Sequence, residues 1–421
     1  MKRYLYTAFE LARSTTARDT YILFLSNVAT AFLGFIFTWF IARALSVSEF
    51  GVFSAVNNLA MLILPILDLG VSSALINFIA STKENEINKA KEYIKAGLII
   101  RFFLFIVISL VLILFASLVA KRILASEDIA LVYWTVIILV GLSLSSFFSS
   151  VLQAYKRFFS SLIVEVSYSL FRVIFIILFF LVGLTLSKSL LAFALAGIIT
   201  IIVTYLVLGF DFFKTKPTKN IYLDLIKFSG WLGVNRILSS ISSRADIQML
   251  MVLSGATVTG YYSVASRLAS FIAVLAASFA AVLSTRLASM GDKKKEKRFI
   301  LKSVLVLFGI SLVIVFWAIF AKPFILFLFD TKYLESVKVF QALALSMIPF
   351  LFTAPSVSAI IYAMKKPKII GYFSIFQIFA ILILNYILIP KFGAIGPTIT
   401  FGVVNIILLI YTWRIVWKHY R

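Results

Sequence analysis

Gly51-Val-Phe-Ser-Ala-Val-Asn-Asn-Leu-Ala60 has a counterpart 209 residues further along the chain, Gly260-Tyr-Tyr-Ser-Val-Ala-Ser-Arg-Leu-Ala269. The glycine, serine, leucine and final alanine coincide, and Phe53 corresponds to Tyr262. Each stretch opens a long apolar run, and these are the second and the eighth such runs of the chain. Because the offset is close to half of the 421 residues, the pattern predicts two structural repeats.

The composition places the chain in a membrane. Hydrophobic residues make up 62% and charged residues only 14%, whereas soluble domains carry about 25% charged residues. The mean hydropathy is +1.06. These values exclude an ordinary cytosolic enzyme, a disordered chain and a fibrous repeat, and they predict an all-α polytopic membrane protein.

Apolar runs of spanning length predict twelve transmembrane helices. They lie at about 20–44, 51–80, 94–120, 129–153, 160–186, 189–210, 228–254, 257–288, 300–321, 337–363, 367–389 and 394–417. Six spans per repeat give both repeats the same orientation, a transporter architecture. We therefore predict an N-lobe at 1–210, with an amphipathic cytoplasmic lead-in at 1–19, and a C-lobe at 211–421, with a linker at 211–227, around a central cavity.

The distribution of basic residues predicts the orientation. With the N-terminus in the cytoplasm, the inner segments carry 26 Lys and Arg and the outer loops carry seven, a strong positive-inside bias. Both termini are thus predicted to be cytoplasmic, in a multi-pass protein of the cell membrane. Since the net charge of +23 comes largely from such short loops, we expect no nucleic-acid partner.

Several classes of chemistry lack their residues. The chain has no cysteine and a single histidine, His419, so thiolate chemistry is excluded and a histidine metal site or general base is not expected. No P-loop motif is present, and no outer loop is long enough for the site of a membrane glycosyltransferase. We expect no enzyme activity, no metal and no cofactor, and a transporter without its own nucleotide engine.

Charged residues inside the predicted spans mark a candidate cavity, because a charge at mid-bilayer is tolerated only beside water or a partner. They are Asp68, Glu165 and Asp246 against Arg101, Arg172, Arg236, Arg244 and Arg267. Guanidinium groups grip phosphate with a planar fork, so the excess of arginine favours an anionic substrate. Snorkelling of Arg101, and structural ion pairs for Glu165 and Arg172, remain alternatives.

Polar stripes at helical spacing accompany these charges. Asn27, Asn58, Asn235 and Ser263 belong to stripes on the first two predicted helices of each repeat, and we expect them to line the same cavity. Helix packing through small polar residues is the alternative. Pro65 is predicted to kink the second helix three residues before Asp68, where it could serve as a gating hinge.

Short motifs resemble those of polysaccharide flippases. Ile41-Ala-Arg-Ala-Leu-Ser-Val-Ser-Glu-Phe-Gly51 is similar to their ARxLGxxxFG signature, with Ser46 where glycine is usual. Leu67-Asp-Leu-Gly-Val-Ser-Ser-Ala74 resembles their DLGLxxA segment. Arg244-Ala-Asp246 followed by Thr259-Gly-Tyr-Tyr-Ser-Val-Ala265 resembles the corresponding stretch of the second half. The resembled family is the Wzx-type polysaccharide or lipid-linked oligosaccharide flippases of the multidrug/oligosaccharidyl-lipid/polysaccharide (MOP) exporter superfamily.

The resemblance implies two six-helix lobes forming a V, and alternating access that carries a polyprenyl- or dolichyl-(pyro)phosphate sugar from the inner to the outer leaflet. In that interpretation the arginines bind the headgroup. Asp68, Glu165 and Asp246 orient the arginines or bind a coupling proton or Na⁺.

Further partners would be membrane lipids and, within a glycan-assembly system, a polymerase or glycosyltransferase, and a monomer is expected. The alternatives are a cation-coupled multidrug antiporter of the same fold and a non-catalytic membrane subunit of a glycan-assembly complex.

Overall fold

A computed structural model describes residues 15–82 and 86–421, and this part of the chain is helical, with no β-strand. Its α-helices, numbered α1 to α14 in chain order, are Thr15–Ala44, Val47–Asp68, Val71–Ser81, Ile87–Leu114, Ala116–Ile123, Ala130–Ala154, Phe158–Leu181, Leu186–Leu208, Lys219–Ala288, Lys293–Ile319, Ala321–Phe329, Leu334–Ser358, Pro367–Phe392 and Gly396–Tyr420. A π-helical turn, Ala359–Ala363, follows α12.

The predicted all-α membrane class is confirmed. Within the described residues, ten helical stretches are long and apolar enough to cross a bilayer, and two of them run for 70 and 54 residues. About 20 residues suffice for one crossing, so each of these two has the length for two crossings. The count of twelve crossings stays a prediction. Of the predicted lead-in at 1–19, residues 1–14 lie outside the described part, and α1 begins at Thr15.

Glycines with positive φ interrupt the helical backbone at two places, one within a predicted span and one between two predicted spans. The second span divides into α2 and α3 at Leu69 and Gly70, whose φ angles are 42° and 81°. Pro65 lies inside α2, and the amide of Leu69 still donates to the Pro65 carbonyl at 2.9 Å. The backbone break therefore comes after Asp68, where glycine supplies the positive φ, and the hinge at Pro65 stays a prediction.

The second interruption lies in α9. Gly255 has φ 84° and ψ 176° and separates the stretches predicted as the seventh and eighth spans. Such an angle is open to glycine and strained for other residues.

The chain forms two compact units. One comprises the described residues of Met1–Leu45 together with Val56–Ser240, and the other comprises Ser46–Ala55 together with Ile241–Arg421. The first part of α9 thus groups with the first unit. The predicted division into lobes at residues 210 and 211 stays a prediction.

Each unit has its own apolar interior. In the first, Val71, Leu75, Ile94, Phe147 and Val151 belong to one buried cluster. In the second, Leu287, Ile300, Ile360 and Val416 form another. The first cluster defines the protein-facing sides of α3, α4 and α6. The second cluster does the same for α10 and α14.

The two copies of the repeated motif contact each other inside the second unit. A Cβ added to Gly51 would lie 1.8 Å from the carbonyl oxygen of Ala256 and 3.0 Å from the amide nitrogen of Gly260. A Cβ on Gly260 would lie 2.2 Å from the carbonyl oxygen of Val47. The backbones of α2 and α9 therefore touch where the paired glycines lack side chains, which explains why glycine recurs at this position of both repeats.

Replacement of Gly51 by alanine should destabilise the protein, because the new methyl group overlaps backbone that cannot move aside. Overpacking of this kind costs about 1–3 kcal/mol, which a fall in the melting temperature of the detergent-solubilised protein would report. Gly309→Ala is the matched control: a Cβ there meets no atom within 4 Å. Since alanine favours helix over glycine, that variant should be as stable as wild type or more so. Equal melting temperatures for the two variants would contradict the tight contact.

Candidate functional site

The carboxylate of Asp68 lies at the end of α2, directly before the break in the helix, and its residue is 4% exposed. Oδ1 accepts hydrogen bonds from the backbone amide of Ser72, at 3.2 Å, and from the Ser72 hydroxyl. Both donors belong to the first turn of α3, a place where a negative charge is favoured by the helix dipole. These two hydrogen bonds position the carboxylate independently of its cationic partners.

Two arginines converge on this one carboxylate. Nη1 of Arg236 in α9 lies 2.8 Å from Oδ2, and its Nη2 donates to the Ser73 hydroxyl at 2.8 Å. Nη2 of Arg101 in α4 lies 3.5 Å from Oδ1 and donates to the Ser146 hydroxyl at 2.8 Å. The sequence predicted arginine partners for Asp68, and the geometry identifies them. The group carries two positive charges against one negative charge.

The two arginines differ in their access to the surroundings. Arg101 is 3% exposed, whereas the side chain of Arg236 is 48% exposed. The guanidinium of Arg101 lies 5.6 Å from the centre of the Phe147 ring, and its Nε and Nη1 have no hydrogen-bond partner among the described residues. Arg101 is thus a buried counter-ion with unused donors, and Arg236 can meet a ligand.

A glycine pair brings Arg236 to Asp68. A Cβ on Gly70 would lie 2.7 Å from the carbonyl oxygen of Ser229, and one on Gly233 would lie 2.5 Å from the carbonyl oxygen of Leu69. The backbone of α9 therefore runs against the break between α2 and α3. Arg236 follows Gly233 by three residues, nearly one helical turn, and so lies on the same face.

Glu165 has a different environment. Its Oε2 accepts from the Ser26 hydroxyl at 2.8 Å, and its Oε1 accepts from the Ser149 hydroxyl and from the Gln153 amide at 3.4 Å. Ser161 bonds to Ser149 at 2.8 Å. Among the described residues, no cationic nitrogen lies within 4.0 Å of this carboxylate. Neutral donors from α1, α6 and α7 surround it in place of the ion pair considered as an alternative.

Arg172 is surrounded by aromatic rings. Its guanidinium carbon lies 4.7 Å from the ring centre of Tyr168, 4.9 Å from that of Phe193 and 5.4 Å from that of Phe37. Nη2 donates to the Ser169 hydroxyl at 3.2 Å. These cation–π contacts join α1, α7 and α8, and their partners differ from those of the arginines at Asp68.

The kink at Gly255 places Asp246 beside Tyr262. The Tyr262 hydroxyl donates to Oδ2 of Asp246, and the amide of Ile247 donates to Oδ1 at 2.8 Å. These residues are 16 apart in α9, on either side of the kink, so the bond holds the two halves of that helix together. Arg244, Arg267 and the buried Ser263 lie in the same second unit.

The predicted asparagines do not share one environment. Asn27 and Asn235 are exposed, whereas Asn58 is 2% exposed. The side chains that sequence reasoning missed are Ser26, Ser73, Ser146, Ser149, Ser161, Gln153 and Tyr262. A signal existed for part of this set, because Ser146, Ser149 and Gln153 are spaced by three and four residues and so mark one face of α6.

Family comparisons agree with this membrane architecture. The model of the polysaccharide biosynthesis protein family matches residues 16–290, and the MatE family model matches residues 232–387. A Shigella flexneri protein described as an O-antigen transporter is 26% identical over 182 residues, which are 42% of this chain and 43% of that protein. An uncharacterized membrane protein of Methanocaldococcus jannaschii is 25% identical over 403 residues, covering 91% of this chain and 93% of the relative.

Solved structures show the same fold. An inward-facing multidrug resistance MATE family transporter of the MOP superfamily superimposes with a TM-score of 0.73 at 14% identity, over 93% of this chain and 94% of the other. The lipid II flippase MurJ in its inward closed conformation gives 0.72 at 17% identity, over 95% and 87%. A Pyrococcus furiosus MOP transporter, described as having a binding pocket of reversed polarity, gives 0.57 at 18% identity, over 96% and 93%.

Removal of the Asp68 charge should destabilise the protein more than removal of the Arg236 charge. Asp68→Asn leaves the buried Arg101 without its carboxylate, and an uncompensated buried charge costs about 3–5 kcal/mol. Arg236→Gln leaves Asp68 paired with Arg101, and a half-exposed ion pair contributes about 1 kcal/mol or less. Melting temperatures of the two variants in detergent measure the difference, and an equal or reversed order would contradict this account.

Proposed function

The chain belongs to the polysaccharide biosynthesis protein family, and from this membership we propose its substrate. The protein is a multi-pass transporter of the MOP superfamily and not an enzyme. It flips a polyprenyl- or dolichyl-(pyro)phosphate-linked oligosaccharide from the inner to the outer leaflet of the cell membrane, with both termini in the cytoplasm. The Shigella relative, described as an O-antigen transporter, and MurJ, described as a lipid II flippase, support this proposal.

The observation that carries it is the excess of guanidinium around Asp68. Two arginines meet one carboxylate, Arg236 is half exposed, and Arg101 keeps unused donors. Arginine binds phosphate oxygens through paired, charge-assisted hydrogen bonds. A phosphate-bearing headgroup therefore suits this group of side chains better than a cation does.

The geometry also suggests how binding could start movement. Because Arg101 remains beside Asp68, Arg236 can exchange the aspartate for a phosphate without leaving a buried carboxylate unpaired. Such an exchange frees α9 from its ion pair with α2. Both side chains of that ion pair belong to the first compact unit, and its opening is, in this proposal, a step of alternating access.

The remaining predicted residues take subordinate roles in this proposal. Arg244 and Arg267 of the second unit remain candidate phosphate-binding residues, and the exposed Asn27 and Asn235 are candidates for bonds to sugar hydroxyls. The buried Asn58 and Ser263 are given no sugar contact. Arg172, held between aromatic rings, anchors α1, α7 and α8. Pro65 lets the end of α2 bend. The lipid tail stays in the bilayer, and the protein acts as a monomer beside a glycan polymerase or glycosyltransferase.

Glu165 is the candidate for ion coupling. Asp68 has cationic partners, whereas the carboxylate of Glu165 is bonded to neutral hydroxyl and amide groups. A carboxylate that faces neutral donors can exchange them for a coupling cation, with serine oxygens as further ligands, without first breaking an ion pair. Asp246, bonded to Tyr262, is the second candidate.

A cation-coupled multidrug antiporter is the alternative function. The match of the MatE model to residues 232–387 and the MATE neighbours favour it. A cationic drug, however, would meet the positive charge of Arg236 first. A non-catalytic subunit of a glycan-assembly complex would have no use for the charges around Asp68.

Flipping should depend on Arg236 and Arg267. In proteoliposomes with a fluorescent lipid-linked sugar, Arg236→Gln and Arg267→Ala should lower the initial rate by at least about tenfold, since each lost charge-assisted bond is worth roughly 1.5–3 kcal/mol. The exposed Arg122→Gln is the matched control and should retain the wild-type rate. Wild-type flipping by both cavity variants, or transport of a cationic drug in place of the lipid-linked sugar, would overturn the proposal.

Ion coupling at Glu165 should be visible as a lost response to ion gradients. Wild-type flipping should change when a pH or Na⁺ gradient is imposed across the vesicle membrane, and Glu165→Gln should flip at one rate with or without either gradient. Glu127→Gln, which removes an exposed carboxylate, serves as the control. A gradient response retained by the Glu165 variant would exclude this carboxylate as the coupling group.

A further inference from the structure

One end of the second unit carries a concentration of basic side chains, which we name the basic face. It consists of three segments, 288–302, 364–368 and 414–421. Together they contain twelve Lys and Arg and two acids, Asp292 and Glu296. All twelve basic residues are exposed, namely Lys293, Lys294, Lys295, Lys297, Arg298, Lys302, Lys365, Lys366, Lys368, Arg414, Lys418 and Arg421.

The three segments form a single surface. Ile300, Ile360 and Val416 lie in one buried cluster, against which Met364 and Tyr420 pack. Nζ of Lys297 donates to the backbone carbonyl of Tyr420 at 3.1 Å. The basic side chains thus lie on neighbouring segments, namely the first turns of α10, the start of α13 with the two residues before it, and the end of α14.

The acids of the basic face do not neutralise it. Glu296 is 6% exposed and accepts a hydrogen bond from the Tyr420 hydroxyl at 2.6 Å. Asp292 caps the first turn of α10 by accepting from the amide of Lys294 at 2.8 Å. Among the described residues, Lys295 is the one basic side chain of this face within salt-bridge distance of a carboxylate, at 4.0 Å from Asp292.

The basic face works against local stability. Lys293, Lys294 and Lys295 open α10, and the positive end of a helix dipole disfavours cations. A charge arrangement that opposes a local rule indicates a functional demand. The lysines repel one another and the positive end of the helix dipole. An anion bound at this end of α10 would be attracted by both and would offset that repulsion.

Orientation alone does not account for this face. The corresponding segments of the first unit, 81–95, 154–158 and 211–228, contain ten basic residues and five acids, and two of those basic residues are paired, Lys89 with Glu86 and Lys214 with Asp211. Both sets satisfy the positive-inside rule. The net charge of the three segments is +10 in the second unit and +5 in the first.

We infer that the basic face of the second unit is a binding surface for the headgroups of anionic phospholipids in the adjoining leaflet. The face lies at the ends of apolar helices, where headgroup phosphates are found, and Trp417, 69% exposed beside Lys418, is an aromatic residue of the kind enriched at that depth. Basic clusters next to membrane spans attract anionic lipids. This surface is separate from the residues of the proposed flipping mechanism.

The test is a titration of the purified full-length protein in detergent with phosphatidylglycerol, following the apparent melting temperature. Phosphatidylcholine, a short oligonucleotide and inorganic phosphate are the comparison ligands. Phosphatidylglycerol should raise the melting temperature, and added salt should weaken the effect. Two triple variants each remove three positive charges from a different segment of the basic face. The first is Lys293→Gln with Lys294→Gln and Lys295→Gln, and the second is Lys365→Gln with Lys366→Gln and Lys368→Gln.

Each triple variant should need about 100-fold more phosphatidylglycerol for the same shift, since each lysine near an anionic surface contributes about a fivefold factor to binding. The matched control is Lys216→Gln with Lys219→Gln and Lys227→Gln, which removes the same charge from exposed positions of the first unit and should titrate like wild type.

If all three triple variants lost the phosphatidylglycerol shift equally, the net charge of the protein would account for the effect, and the inference would be overturned. Equal stabilisation by phosphatidylcholine, or stabilisation by the oligonucleotide or phosphate without phosphatidylglycerol, would do the same. An Arg236→Gln arm separates the two proposals: loss of the phosphatidylglycerol shift there, with both lysine variants unaffected, would place the lipid at the proposed headgroup site and contradict the basic face.

Discussion

The buried carboxylate of Asp68 is the constraint on which much of the first unit depends. A charge in an apolar surrounding is tolerated only with partners, and Asp68 obtains them from three directions: the first turn of α3, Arg101 of α4 and Arg236 of α9. The backbone break at Gly70 leaves the Ser72 amide, in the first turn of α3, free to donate to Asp68, and the same glycine admits the backbone of α9. The ion pairs of Asp68, the backbone break at Gly70 and the close approach of α9 therefore depend on one another. Loss of one of them should destabilise the other two.

Much of this fold could be predicted from the sequence because membrane insertion imposes strong rules on composition. Agreement at the helix ends varies: α6 at Ala130–Ala154 differs by one residue at each end from the predicted span at 129–153, whereas α4 at Ile87–Leu114 begins seven residues before the span predicted at 94–120. The breaks at Gly70 and Gly255 were less accessible. Hydropathy averages over a window, whereas a positive φ concerns a single residue, and Pro65, the conventional signal for a kink, lies inside a helix that continues beyond it.

The sequence predicted which charged residues belong to the candidate site, but not which of them contact each other. Counting charges inside the spans found Asp68, Arg101 and Arg236 as members of a set, but Asp68 and Arg236 are 168 residues apart and sequence spacing cannot pair them. For the same reason, sequence spacing could not pair Glu165 with Ser26, or Arg172 with the rings of Phe37 and Phe193. Neutral donors such as Ser149 carry no charge signal, so a residue that solvates a carboxylate resembles one that packs helices.

The assignment of segments to the two compact units has a consequence for how the chain can be divided. Ser46–Ala55 belongs to the second unit although it lies between two segments of the first, and Lys219–Ser240 stays with the first unit although it begins a helix that continues into the second. No single cut separates the units. Scission in the loop before Lys219 would take Gly233 and Arg236 away from Asp68, so the two fragments would each carry a piece of the other's interior and could fold only together, as an obligate pair.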